Sequence, residues 1–376
     1  MKVVIDSGKI GITPSYIHED FNGIEDLIGF ANRKNENRGF LFVSKVLGKH
    51  IPVTPTEMNK VYSVFSKELS SESKAFVVGL AETATGLGAG VASSLENKQV
   101  YFQHTTRSLL PHAERWFEIS ESHSHAVSHI IYKPSQEMLD NLIDVENLIL
   151  VDDEITTGNT LKQLAKEYLK VLPNIKKINI VSLLSWLDDV KFSEFKRDVT
   201  EFCEEEGLVA PELTQSFLFN GSFEFEPKPD YKQELPKSAH KGASVLDCSW
   251  NMGRLPVQMK HVVTTDYVTK IEKIVASEGS EKEISIIGTG ENMYLPYLIA
   301  SQLEISGYNV TVQSTTRSPV VVDGKVITSC HEIPMFDNGL VEHYIYNLNP
   351  NKLNVVITET GSKSEKEAYA HLGYVL

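Results

Sequence analysis

Residues 148–184 constrain the fold of this chain more than any other stretch. Residues 148–151 (LILV) form a short apolar run bounded by acids, the pattern of a strand buried on both faces. After a polar loop, Leu161, Leu164, Ala165, Tyr168, Leu169 and Leu172 fall at i, i+3, i+4, i+7, i+8 and i+11, one face of an amphipathic helix that Pro173 closes. Residues 178–184 read as the next strand. Strand, helix and strand with short connections predict a right-handed crossover and a parallel sheet, hence an α/β fold.

The loop inside this unit carries the chemistry. Asp152 and Asp153 leave the carboxyl end of the strand, where ligands bind in parallel sheets, and Glu154 follows. Thr156, Thr157, Gly158, Asn159 and Thr160 open the helix. Backbone N–H groups there, with the positive end of the helix, make a nest for one phosphate, and the threonine hydroxyls add donors. Gly158 allows a positive φ or a close backbone approach. Acceptors for sugar hydroxyls beside donors for a phosphate describe a sugar 5′-phosphate ligand.

Elsewhere the first 30 residues read as an irregular entry, residues 40–43 as a strand, 56–70 as a helix and 75–78 as a strand ending in Gly79. The small-residue segment 80–95 reads as a loop opening a helix. Further strands are expected at 100–102 and 130–132. Residues 220–244, with three prolines, many charges and no period, read as a linker. At 376 residues the chain has room for two or three domains. The division expected is a first domain over 1–220, a linker over 221–244 and a second domain over 245–376.

The two halves resemble one another. VVGLAETATGLG (77–88) is matched by IIGTGENMYLPY (286–297), and Thr105-Thr106-Arg107-Ser108 recurs as Thr315-Thr316-Arg317-Ser318. The glycine-to-arginine spacing is 28 residues in one copy and 29 in the other. HIIYKP (129–134) is echoed by HYIYNLNP (343–350), and LNVVITETG (353–361) stands where NLILVDDEITTG (147–158) would. Four elements in one order at like spacing point to an internal duplication. In the second copy Thr358, Glu359 and Thr360 replace the paired aspartates and the phosphate loop is shortened, so a second sugar-phosphate site of the same kind is not expected.

Composition sets the outer limits. Lysine and arginine total 36 against 50 acidic residues, a formal charge of −14, which argues against a general nucleic-acid or anionic-membrane binder. Any phosphate is therefore held by local geometry. The three cysteines, Cys203, Cys248 and Cys330, are far apart and form no CxxC pair, against a cysteine zinc site or a disulfide framework. No signal-peptide layout and no apolar run of membrane-spanning length is present, so a cytoplasmic protein is the expectation.

VDDEITTGNT closely resembles the phosphoribosyl-pyrophosphate (PRPP) signature of type I, orotate-like phosphoribosyltransferases. The resemblance implies that Asp152 and Asp153 contact the ribose hydroxyls and that Thr156 to Thr160 hold the 5′-phosphate. Thr316-Arg317-Ser318-Pro319 supplies the tetrapeptide of a TRSP domain. A phosphoribosyltransferase domain followed by such a domain resembles a bacterial family associated with tellurite-resistance and stress gene clusters. The activity implied by the resemblance is transfer of ribose 5-phosphate from PRPP to an unidentified base with release of diphosphate, in making a nucleotide-like metabolite. Mg²⁺ is the implied cofactor, held mainly by substrate, with Asp152 and Asp153 as its protein ligands. A PRPP- or nucleotide-binding regulator without transfer is the alternative.

The same resemblance assigns Ala81, Glu82, Thr83 and Ala84 to the diphosphate loop. Glu82 repels a diphosphate unless Mg²⁺ intervenes; otherwise it caps or braces the loop. Arg107 is the candidate for the basic loop that closes over the diphosphate, although the usual lysine pair is missing. Lys49 and His50 are acceptor-side candidates, with a solvated hairpin turn as the other reading. Phe40 and Phe42 read as core. His123, His125 and His129 form H-x-H-x₃-H without a completing ligand, so loop polarity or diphosphate contact outweighs a metal site. Because type I enzymes are commonly dimers, a homodimer or a pseudo-dimer is expected, the second domain packing like a partner subunit or holding the acceptor or product, with Arg317 binding an anionic group or forming a surface ion pair.

Overall fold

The computed structural model describes residues 1–35, 38–69, 73–96, 99–119, 129–231, 253–259, 263–279, 283–336 and 342–376. The first half, through residue 231, begins with β1 (Lys2–Ile5), β2 (Gly8–Ile17), α1 (Ile24–Leu27), β3 (Ile28–Asn32) and β4 (Phe40–Ser44). It continues with α2 (Pro55–Leu69), β5 (Ala75–Gly79), α3 (Ala84–Ser94), β6 (Val100–His104), β7 (Arg115–Ile119) and β8 (His129–Tyr132). It ends with α4 (Gln136–Leu142), β9 (Asn147–Ile155), α5 (Asn159–Val171), β10 (Lys177–Ser185), α6 (Asp189–Glu206) and β11 (Glu212–Pro227). The second half holds β12 (Val257–Gln258), α7 (Thr265–Glu278), β13 (Ile284–Gly288), α8 (Tyr294–Ile305), β14 (Val310–Ser314), β15 (Cys330–Ile333), β16 (His343–Tyr346), β17 (Leu353–Ile357), α9 (Lys363–Tyr369) and β18 (Tyr374–Val375).

The main sheet runs β1-β2-β11-β10-β9-β5-β6-β12. Strands β6, β5, β9, β10 and β11 are mutually parallel, as the crossover at 148–184 requires. Residues 148–151 are wholly buried, and α5 covers Leu148 and Leu150 with Leu161, Leu164, Ala165, Tyr168 and Leu169. On the other face α2 presents Met58, Val61, Tyr62 and Phe65, again at i, i+3, i+4 and i+7.

Two stretches differ from the sequence reading. Residues 1–17 are not an irregular entry but an antiparallel hairpin, with β2 paired to β11. The first part of the stretch read as a linker, through Pro227, is the end of β11. There Phe223 and Phe225 alternate with the more exposed Glu224 and Glu226, a period of two masked by the charges and prolines around it.

The second half repeats the plan. Strand β13 lies between β14 and β17, both parallel to it, as β5 lies between β6 and β9. The fine structure repeats too. Thr105 donates its N–H to Gly79 O at 2.9 Å and Thr315 does so to Gly288 O at 3.0 Å. Their hydroxyls accept from Ala81 N and Gly290 N, each at 2.9 Å. Tyr132 OH donates to Ser108 O, as Tyr346 OH donates to Ser318 O.

The halves exchange arms. Val53 pairs with Val312 on β14, and Ser314 N donates to Gly48 O at 2.8 Å. Reciprocally, β12 pairs with β6, and His104 N donates to Gly253 O at 2.6 Å. Gly86 on α3 faces Met293, whose Cβ would lie 3.0 Å from an added methyl, so glycine permits the approach of the two halves there. Among the described residues, no helix is long and apolar enough to cross a membrane.

Candidate active site

Strand β9 extends past its pairing with Gly79 to Ile155, held on that side by β10 alone, so residues 152–154 project beyond β5 at the carboxyl edge of the sheet. Asp152 and Asp153 are adjacent and partly buried, and Asp152 Oδ1 accepts the Asp153 N–H at 2.9 Å. Burial, then the neighbouring Asp153 charge, pushes Asp152 well above the carboxylate range. Burial, then Glu154, pushes Asp153 up to about 6. This is a concentration of negative charge short of donors, the state that a cation or hydroxyl donors relieve.

Gly158 caps α5 with φ 71°, and a β-carbon there would meet Phe195 at 3.2 Å and Leu187 at 3.4 Å. The left-handed turn leaves Thr157 and Asn159 exposed and Thr156 and Thr160 half-buried around the helix start. The phosphate loop expected at 156–160 thus sits at the positive end of a 13-residue helix.

The neighbouring loop, after β5, leads into α3. Leu80 N donates to Val151 O at 2.9 Å, so this loop and the acidic pair leave adjacent strands together. Glu82 braces the loop: its carboxylate forms an ion pair with Lys49 at 2.8 Å, and Lys49 Nζ also donates to Gly290 O at 2.8 Å. Burial pushes Glu82 up, but Lys49 and Arg317 outweigh it and hold the carboxyl below its usual range. Thr83 caps α3 without a side-chain bond, and Ala84 is buried.

Other expected site residues lie elsewhere. Lys49, with a wholly buried side chain, stands against Glu82 in the loop between β5 and α3 and not in a solvated hairpin turn. His50 is a core histidine beside Tyr346, pushed down to about 3 by burial and then by Lys49, so it is neutral. Arg107 donates its backbone N–H to Glu291 of the second half at 3.1 Å, while its guanidinium lies 3.4 Å from His129 Nε2 in the first half. Arg317 turns towards the first, with its N–H 3.4 Å from Glu82 and its guanidinium donating to Ser108 Oγ at 3.1 Å. His129 is buried, with Nδ1 on Thr105 Oγ1 at 2.8 Å. His123 and His125 lie outside the described residues. Phe40 and Phe42 pack in the core with Trp186 and Phe223.

Two groups escaped the sequence reading. Arg254 binds Glu291 at 2.6 Å, Glu359 at 2.5 Å and Thr106 Oγ1 at 3.0 Å. Gly253-Arg254 repeats Gly48-Lys49 ahead of a Pro-Val step in each half, a signal that an extended repeat alignment detects. The second is Arg38, which pairs with Glu154 at 2.8 Å over Phe40 and Phe42 while Trp186 Nε1 donates to the same carboxylate. In the second half Glu365 fills the turn matching residues 156–160. It accepts from Thr289 Oγ1, Glu359 N and Thr360 N at 2.7–3.0 Å, which leaves that turn no free donors at these positions.

Residues 27–208 match a family model described as phosphoribosyl transferase, and residues 251–376 match one described as the TRSP domain C-terminal to it. Among solved structures the chain is similar to adenine phosphoribosyltransferase of Rhodothermus marinus, with 14% identity over 52% of this chain and 95% of that one and a TM-score of 0.33. It is similar to the Trypanosoma brucei adenine enzyme crystallised with AMP, pyrophosphate and ribose-5-phosphate, at 10% identity over 55% and 87% and a TM-score of 0.37. A hypoxanthine phosphoribosyltransferase of Staphylococcus aureus is similar at 12% identity over 46% and 79%, with a TM-score of 0.25. No curated protein matches the chain. With its acidic strand end, its glycine-capped loop and both family matches in one chain, the protein belongs to the phosphoribosyltransferase family that carries a C-terminal TRSP domain.

Proposed function

We propose that the first half transfers ribose 5-phosphate from PRPP to a nitrogenous base and releases diphosphate. The carrying observation is the adjacency of Asp152 and Asp153, short of donors, to the αL-capped start of α5. The carboxylates accept from the ribose hydroxyls and favour the positive charge that develops on the sugar as the bond to diphosphate breaks. Residues 156–160 anchor the 5′-phosphate, and residues 81–84 receive the diphosphate. Fixing both ends of the donor leaves C1 at a set distance from the incoming base.

Mg²⁺ suits this donor set. Among the described residues no three His, Cys, Asp or Glu side chains form a metal cage, but Asp152 and Asp153 offer two hard oxygens whose mutual repulsion a divalent cation relieves. When bound, the ion supplies charge neutralisation on the diphosphate. The place of the reaction is the cytoplasm, which rests on the sequence reading, and its product a nucleotide-like metabolite of a stress response, which rests on the family resemblance.

One observation favours a second reading, a PRPP- or nucleotide-binding regulator: the diphosphate loop carries Glu82 and no cation of its own. Incubation with PRPP, Mg²⁺ and a panel of purine, pyrimidine and pyridine bases separates the two. Diphosphate release dependent on one base class supports transfer. PRPP binding with no release for any base supports the regulator.

A further inference from the structure

The two arm exchanges create two buried charge clusters that correspond by the internal repeat but differ in one respect. On one side Glu291 is sealed. Its side chain is 2% exposed, Arg254 lies on it at 2.6 Å, Thr106 Oγ1 donates to it at 2.6 Å, and the Arg107 N–H completes the set. Glu359 closes the cluster on Arg254. On the other side Glu82 is 18% exposed, with Lys49 at 2.8 Å and Arg317 only at 3.4 Å through its backbone. Among the described residues no second carboxylate is paired with Lys49 as Glu359 is with Arg254. This open cluster lies on the loop that joins β5 to α3, next to the acidic end of β9.

We propose that Glu82 is an internal stand-in for the donor's diphosphate, and that Arg317, supplied by the second half, passes from the neighbourhood of Glu82 to the diphosphate when the donor binds. The inference rests on the reading of residues 81–84 as the diphosphate loop. Lys49 cannot itself make the move. Its side chain is wholly buried, and it is tied to both Glu82 and Gly290 O, so it anchors the carboxylate. Arg317 is half-buried, with a polar side-chain contact to the Ser108 hydroxyl at 3.1 Å, and its planar fork suits bidentate hold of a phosphate. In the free protein Glu82 keeps the positive charge of Lys49 and Arg317 compensated. With the donor bound, the loop holds two anions, and their repulsion is a cost that the Glu82 carboxylate imposes on diphosphate affinity. The TRSP tetrapeptide therefore serves the first site and not a site of its own.

The test is calorimetric titration of the full chain with Mg²⁺–diphosphate and, separately, Mg²⁺–PRPP. Glu82→Gln should tighten diphosphate binding by about 10-fold, because one anion is gone from the loop, and Arg317→Gln should weaken it by about 10-fold. The double variant should fall between them. Weaker diphosphate binding by Glu82→Gln, or unchanged binding by Arg317→Gln, overturns the proposal. Should Glu82→Gln fail to fold because Lys49 loses its partner, Arg317→Gln decides alone. A wild-type protein that binds neither PRPP nor ribose 5-phosphate removes the transferase reading itself. Wild-type PRPP binding with both variants at wild-type affinity removes only this inference.

Discussion

Glu291, in the second half of the chain, accepts the backbone N–H of Arg107, in the first, at 3.1 Å. The reciprocal contact, from Arg317 to Glu82, crosses in the opposite direction. These contacts, with the exchanged arms at Gly48 and Gly253, make the halves one interlocked body.

Glu291→Ala tests that interlocking. Arg254 is 3% exposed, and without Glu291 it loses its partner at 2.6 Å and keeps Glu359 at 2.5 Å. Losing one of two charge-assisted hydrogen bonds to a buried guanidinium costs about 1.5–3 kcal/mol. Urea unfolding should show a loss of that order. A change within error of zero would mean that the cluster contributes little to joining the halves.

Asp153→Asn should separate stability from binding. Two adjacent, partly buried carboxylates repel one another, so neutralising one should raise the melting temperature at pH 7. The ribose loses a charged acceptor, and affinity for Mg²⁺–PRPP should fall about 10- to 100-fold. A variant with unchanged PRPP affinity would remove Asp153 from the ribose site.

The pH dependence follows from the same group. Asp153 is raised from an ordinary 3.8 to about 6, so the folded protein binds more protons than the unfolded chain between those values. Its contribution therefore falls as pH rises through that window. His50 and His104 work the other way. Burial first, then neighbouring cations, lowers them to about 3 and about 4, so their contribution is lost as pH falls below 6.5. The comparison that isolates Asp153 is wild type against Asp153→Asn. The stabilisation of the variant seen at pH 7 should shrink towards zero near pH 4, and a gap that does not depend on pH would contradict the assignment.

Gly158→Ala should cost about 1–2 kcal/mol, because alanine at φ 71° is strained and its methyl presses on Phe195 at 3.2 Å. PRPP affinity should fall with it as the phosphate loop is displaced. A variant that melts and binds like the wild type would show that the loop does not need this turn.

The parallel unit at 148–184 is legible in the sequence because burial on both faces of β9 and on one face of α5 writes itself as apolar periodicity. The acidic pair and the glycine-capped turn at 156–160 are legible for a related reason: one contiguous segment carries both. Lys49, Arg254 and Arg317 act across the boundary between halves, and their partners lie as much as 241 residues away, as Lys49 does from Gly290. No local pattern records such a contact. The repeat alignment comes nearest, since it matches Arg107 with Arg317, but it does not say that the Arg317 guanidinium turns to the other half while that of Arg107 lies by His129. Residues 221–227 pass for linker because glutamates on the exposed face of β11 resemble those of a solvated segment.

The donor site is tested most directly by a crystal structure of the protein grown with Mg²⁺–PRPP. The 5′-phosphate should lie within hydrogen-bond reach of the backbone N–H groups of residues 156–160, with the ribose hydroxyls on Asp152 and Asp153. A phosphate bound at another helix start, with this loop empty, would contradict the account.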